Sequence, residues 1–353
     1  MALGCLGAPD PAPPGHDPTA CAGCHADHVA DFATARHAQA NNSDLFAALR
    51  SREPPPRQRF CDTCHAPGPS LGGTTRGLGC DTCHRATGNR ETANARLVID
   101  PDGPLRSAAP SGRAPHATRA HAFVSAPELC GTCHEVRGGG AFDEPVFTEW
   151  AASPAGRAGV SCAACHLPER TGPDGLVRRD HAFVGPDHPR ASELLGRSTR
   201  VEITGVTASP SGDGPARVEV AVYNDNPAHS LPSGVRFARE VWVSLEALDD
   251  RHDGALAVPG ENPRVDLGDR PVDASGARVL PHAAVGSEHH AIAAGESGRY
   301  VLSLPWPAGA SRVRARVYYR RNAAWLREAL GLAPLPERPR VLAEAVVPGP
   351  SLR

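Results

Sequence analysis

Cys21-Ala22-Gly23-Cys24-His25 is the stretch on which the reading of this chain turns. The same pattern, Cys-x-x-Cys-His, returns at Cys61–His65, Cys80–His84, Cys130–His134 and Cys162–His166. The spacing has a chemical meaning. Two thiols can add across the two vinyl groups of one porphyrin, and the next side chain, an imidazole, reaches the iron as proximal ligand. Cys21, Cys24, Cys61, Cys64, Cys80, Cys83, Cys130, Cys133, Cys162 and Cys165 are therefore read as thioether positions. His25, His65, His84, His134 and His166 are read as axial ligands of five covalently held haems c. Chance would supply about 0.02 such copies in a chain of this composition. A zinc site would use cysteines in fours and would not need His after every second Cys. A thioredoxin-like redox pair would occur once, near a βαβ pattern.

The rest of the composition agrees. The chain has 353 residues, and its 37 basic residues, all Arg, face 39 acidic ones. That balance excludes the basic patch of a nucleic-acid binder. Ten of the 11 Cys sit in the five motifs, which leaves no pair for a disulfide. Covalent haem attachment takes place outside the cytoplasmic membrane, so a periplasmic or other extracytoplasmic location is expected. The odd cysteine, Cys5, follows Leu3-Gly4, which resembles the end of a lipoprotein cleavage site and gives an expected membrane tether. The alternative is a free thiol in a tail spanning 1–15. No stretch approaches the ~20 apolar residues of a membrane span.

Residues 16–195 form the expected pentahaem domain, mostly irregular or short-helical and cored by haem rather than by side chains. About 170 residues would serve five porphyrins, about 34 each. Helices are predicted over Ala26–Ala40 and Ser43–Leu49, the second capped by Asn42 or Ser43 and followed by a stop at Pro54-Pro55-Pro56. The short connection from His65 to Cys80 predicts that the second and third haems lie close together. From 196 to 353 cysteine is absent and period-two alternation takes over. Strands are predicted over Thr199–Val206, Arg217–Tyr223, Glu240–Ala247, Gly298–Leu304, Ser311–Arg320 and Arg340–Val346, with one helix over Asn322–Leu330. An all-β sandwich is the expected fold of this second domain.

What stands opposite each iron decides its chemistry. A second His closes the metal for electron transfer, and an open face admits a ligand. The stretch from Cys21 through Phe32 to His37-Ala38 resembles the multihaem cytochrome c family whose tetrahaem member takes electrons from hydroxylamine oxidation. Phe32 stands where that family usually has Trp. The resemblance implies a distal role for His37. It implies the same for His121, ahead of the fourth motif, and for His181 in His181-Ala182-Phe183-Val184-Gly185. Phe147–Ser153 resembles the family's aromatic-x-x-x-Ser turn. The loop Asn224–Gly234 resembles one in β-domains that accompany multihaem domains, and implies that His229 ligates a haem. His116 is the first choice for the fifth iron, ahead of His16, His188 and His282. His28, three residues past His25, is read as a surface or propionate-bonding group, and His252, His289 and His290 as solvated.

These readings point to an electron carrier serving redox protein partners. The alternative is an oxidoreductase acting on a small nitrogen or sulfur compound at one five-coordinate haem. The β-domain is a further expected docking face for a partner.

Overall fold

The computed structural model describes residues 18–350, apart from 69–72, 75, 109–113, 173–174, 186–187, 189–190, 210–213, 251–254 and 257–261. The readings made for Cys5, His16, His252 and the tail at 1–15 lie outside the described residues. The chain divides into two compact units. The first comprises Met1–Gly139, Asp143–Thr148 and Gly159–Ala191; the second comprises Gly140–Phe142, Glu149–Ala158 and Ser192–Arg353.

The first unit is built from short helices set by the motifs. Helix α1 (Ala22–Thr34) starts inside the first motif, leaves helical geometry at His25, and buries Phe32. It ends well before the predicted Ala40. The next residues pair elsewhere: the His37 carbonyl accepts from Leu78 N at 2.9 Å, and Asn41 N donates to Arg76 O at 2.8 Å. A Cβ on Gly77 would stand 2.4 Å from the His37 carbonyl oxygen, so this approach requires glycine. Helix α2 (Asp44–Arg50) is capped by Ser43, as predicted. Pro54–Pro56 do not merely stop the chain. Pro55 opens helix α3 (Pro55–His65), because a first-turn residue has no intrahelical use for its N–H. Helix α4 (Cys80–His84) is one motif long. The remaining helices of this unit are α5 (Pro127–Gly131) and α8 (Cys162–His166), the last again a single motif; α6 (Val146–Ala152) is divided between the units and α7 (Pro154–Arg157) belongs to the second.

Three two-stranded ribbons tie these pieces together. β1 (Ala86–Asn89) and β2 (Leu97–Ile99) are antiparallel, β3 (Leu105–Ser107) and β4 (Thr118–Ala120) parallel, and β5 (Glu169–Thr171) and β6 (Val177–Arg179) antiparallel. The larger buried apolar side chains described here are Phe32, Leu45 and Val184. So thin a side-chain core needs another apolar mass to hold a unit of this length.

The second unit carries its own core. A four-stranded antiparallel sheet has the order β10 (Arg264–Leu267), β9 (Glu240–Leu248), β14 (Arg312–Arg320), β15 (Arg340–Pro348). A three-stranded sheet has the order β13 (Ser297–Leu304), β8 (Ala216–Asn224), β7 (Thr199–Thr207). β11 (Asp269–Val272) pairs with β12 (Gly286–His289). Val218, Val220 and Val222 of β8 join Val241, Val243 and Leu245 of β9 and Val313, Ala315 and Val317 of β14 in one apolar cluster. The period-two alternation thus does what it predicts, sending one face of each strand inward. β9 goes further, with Trp242 and Leu248 of its other face buried too. Trp242 stacks on Tyr318 at 5.1 Å, and the Arg264 and Arg320 guanidiniums lie over its ring. Helix α10 (Ala324–Ala329) is shorter than predicted and is not capped by Asn322, though Gly331 closes it at φ +71.

Candidate haem-binding centres

No disulfide joins any of the ten motif cysteines. Each proximal imidazole has to present Nε2 to a metal, which requires its Nδ1–H to be occupied elsewhere. The backbone does this for three of the five. His65 Nδ1 donates to the Ala40 carbonyl at 3.0 Å, His84 Nδ1 to Arg106 O at 2.7 Å, and His166 Nδ1 to Val184 O at 2.6 Å. His134 differs: its Nδ1 meets the Glu144 carboxylate at 3.2 Å. Burial lowers the pKa of His134, and the adjacent Glu144 carboxylate more than offsets it, so the net shift is upward.

Two imidazoles on opposite faces of one iron have a calculable separation. Two metal–nitrogen bonds of about 2 Å, plus about 1.2 Å from each nitrogen to its ring centre, give about 6.4 Å. Three pairs match. The rings of His25 and His116 are 6.4 Å apart, those of His84 and His181 6.2 Å, and those of His37 and His134 5.9 Å. Each pair joins one proximal to one predicted distal histidine. Burial draws His37 down to about 3 and, with help from His28 and His84, His181 to about 4, so both stay neutral and able to donate a lone pair. His37 and His121 are each buried at Nδ1 with no hydrogen-bond partner there. Among the described residues, no three His, Cys, Asp or Glu side chains converge as a bare zinc ion would need. The donor set fits c-type haem.

Residues 20–85 match the family model described as cytochrome c554 and c-prime. Over that stretch the chain is similar to multihaem c-type cytochromes. The solved structure of a penta-heme cytochrome c552 from Thermochromatium tepidum superposes on it with a TM-score of 0.69 at 19% identity, over 93% of this chain and 97% of that one. At that identity the likeness shows a shared fold. A beta-glucosidase from Streptomyces venezuelae aligns with a TM-score of 0.20 at 13% identity, over 43% of this chain and 15% of its own. One from Kluyveromyces marxianus aligns at 0.18 and 11% identity, over 44% and 14%. Neither carries weight. No curated protein matches the chain.

The motif cysteines show which motifs are neighbours. Cys80 lies beside Cys21, Cys133 beside Cys64, and Cys130 beside Cys162. The third motif therefore adjoins the first, and the fourth adjoins both the second and the fifth. Cys83 of the third motif also acts on Cys133, the residue that adjoins Cys64 of the second.

The phrase His181–Gly185 serves two motifs at once. It sets His181 opposite His84 and lends the Val184 carbonyl to His166, while Val184 N takes the His166 carbonyl at 2.9 Å. Asp31 of α1 steadies it by accepting from the Arg170 guanidinium and from His181 N at 3.4 Å. His28 also belongs here. Its ring, partly exposed, meets that of His181 edge-on at 4.7 Å. The α1 face that carries it turns toward the 181 loop, which the chain reaches only through tertiary folding.

His229 lies in the second unit. Its carbonyl accepts from Asn224 Nδ2 at 2.7 Å, and its N–H donates to Asn226 Oδ1 at 3.2 Å. None of the three matched pairs includes it. His289 and His290 instead face carboxylates, Asp269 at 3.0 Å and Glu288 at 3.5 Å. Sequence reasoning missed the carbonyls of Ala40, Arg106 and Val184, because a backbone acceptor leaves no residue-type signal. Glu144 was also missed, though a carboxylate ten residues past a proximal His was there to be weighed.

Proposed function

We propose that this chain carries five covalent haems c, one on each motif, and moves electrons between redox partners outside the cytoplasmic membrane. The observation that carries the reading is the set of three histidine pairs at the separation of trans ligands, on motifs whose cysteines adjoin as 1–3 and 2–4–5. Bound haem c supplies reversible one-electron chemistry at iron. The chain's residues supply the rest. His25 with His116, His84 with His181, and His37 with His134 are the pairs that would hold iron from both sides and so exclude exogenous ligands. Carbonyls fix the tautomer of the proximal rings. His121, whose Nδ1 is buried, stays a candidate ligand for a further iron, and His229 keeps the candidate role that the Asn224–Gly234 loop implies. The second unit, read as a sandwich of the three- and four-stranded sheets, is the proposed docking face for a partner, and no membrane tether is needed for this role. No helix among the described residues is long and apolar enough to cross a membrane.

One observation favours the ligand-accepting alternative at a single centre. Phe46 stacks on the face of His65 at 4.0 Å, which sets an apolar ring beside that centre. Intact mass of the matured protein tests the main reading, with five haem masses expected above the polypeptide. Carbon monoxide then separates the alternatives. A reduced spectrum that gas leaves unchanged supports a closed carrier, and binding at one centre supports the second reading for the Cys61–His65 site. A mature protein with the mass of its polypeptide alone refutes both.

A further inference from the structure

Four proximal histidines have a recorded Nδ1 acceptor, and one acceptor is unlike the others. His65, His84 and His166 donate to neutral carbonyls, whereas His134 donates to the carboxylate of Glu144. This contact is built into the local fold. Val136 N donates to Glu144 O at 2.9 Å, and Glu144 N returns to Val136 O at 3.1 Å, closing a loop just beyond the motif. Asp143 Oδ1 accepts from Gly139 N at 2.6 Å within that loop, and Phe147 N donates to the His134 carbonyl at 3.2 Å. Glu144 is thereby pinned on both sides, with its side chain 14% exposed.

A carboxylate on the far nitrogen of a ligating imidazole makes the ring a stronger donor, and a stronger donor favours the ferric over the ferrous state. A neutral carbonyl does so much less. We propose that Glu144 is the potential-setting residue of the fourth centre, holding the haem on Cys130–His134 more reducing than a neutral acceptor would. This rests on the reading that haem is attached at that motif. The position gives the effect consequence, since the fourth motif adjoins two others through Cys133–Cys64 and Cys130–Cys162. Glu144 also lies near enough to His65 to act on it through space, so a smaller effect is expected at the second centre.

The test is Glu144→Gln, which keeps an oxygen acceptor and removes the charge. Haem content by pyridine haemochrome comes first; a count short of five in the wild type would sink the attachment reading, and the present inference with it. With all haems in place, an optical redox titration is expected to show one midpoint moving upward by more than any other, with a changed low-spin electron paramagnetic resonance signal for that centre. Glu144→Asp should restore both in part. Midpoints that do not move, or that move together, or a largest shift downward, would overturn the role given to Glu144 while leaving the attachment reading intact.

Discussion

The ring of Phe183 lies 4.4 Å from that of His37, and Phe183 holds this place with a backbone φ of +53. A bulky L-residue pays about 1–3 kcal/mol for that conformation, and the surroundings must impose it. The surroundings are visible: Phe183 also meets Phe32 and His181 edge-on, each at 6.3 Å. One ring thus wedges against two proposed ligands.

That wedge predicts an unusual order of variants. Phe183→Ala loses the ring and keeps the backbone strain, whereas Phe183→Gly loses the ring and relieves it. Alanine should cost about 1–3 kcal/mol, and glycine less. Guanidinium unfolding of the holoprotein measures both. Glycine proving the worse of the two would show that the left-handed backbone carries no strain.

His181→Ala tests the pairing most directly. Removing the ring 6.2 Å from His84 should leave one formerly closed centre open to carbon monoxide and add one high-spin signal. His289→Ala is the control, because its ring faces Asp269 rather than another histidine. A His181 variant as inert to the gas as the wild type would remove the assignment.

Glu149 predicts a stability effect in the second unit. Its carboxylate accepts from Ser233 Oγ at 2.7 Å and Ser230 N at 3.3 Å, and pairs with Arg236 at low exposure. Glu149→Ala strands that guanidinium and two further donors. The expected cost is about 3–5 kcal/mol, because the charge left behind is largely buried. Arg236 keeps a weaker neighbour in Asp269 at 3.7 Å, so the lower end of the range is expected. A variant unfolding within about 1 kcal/mol of wild type would mean that the pair is solvated in practice.

What could be read from the sequence followed from repetition and period. The five attachment motifs announce themselves because each is covalently complete within five residues. The strands at Ala216–Asn224, Glu240–Leu248 and Arg312–Arg320 lie within one or two residues of their predicted limits, since alternation is a local signal. Pairing was not legible in the same way. His116 and His25 meet across chain that carries little regular structure, and nothing in either neighbourhood names the other. The helix expected to reach Ala40 stopped at Thr34 because the backbone at His37 bonds to Leu78, a long-range choice that helix propensity cannot see. Burial of both faces of β9 escaped for the same reason. Trp242 and Glu240 look like solvent-facing residues until Tyr318, Arg264 and Arg320 arrive from other strands.

That burial frames the last prediction. Leu245 is fully buried on β9, between β10 and β14, within the cluster that both sheets share. Leu245→Ala removes apolar volume where hydrogen-bonded strands on both sides prevent collapse, so the cavity term adds to the transfer term. The cost should be about 2–5 kcal/mol. Tryptophan emission reads the change in the full holoprotein, because Trp150, Trp242, Trp306 and Trp325 all belong to the second unit. The unfolding midpoint followed by emission should fall, while the Soret band before the transition keeps its position, since no haem-motif residue is touched. A loss below about 1 kcal/mol would mean that the sheets close over the missing side chain, and that the shared cluster packs less rigidly than strand pairing on both flanks requires.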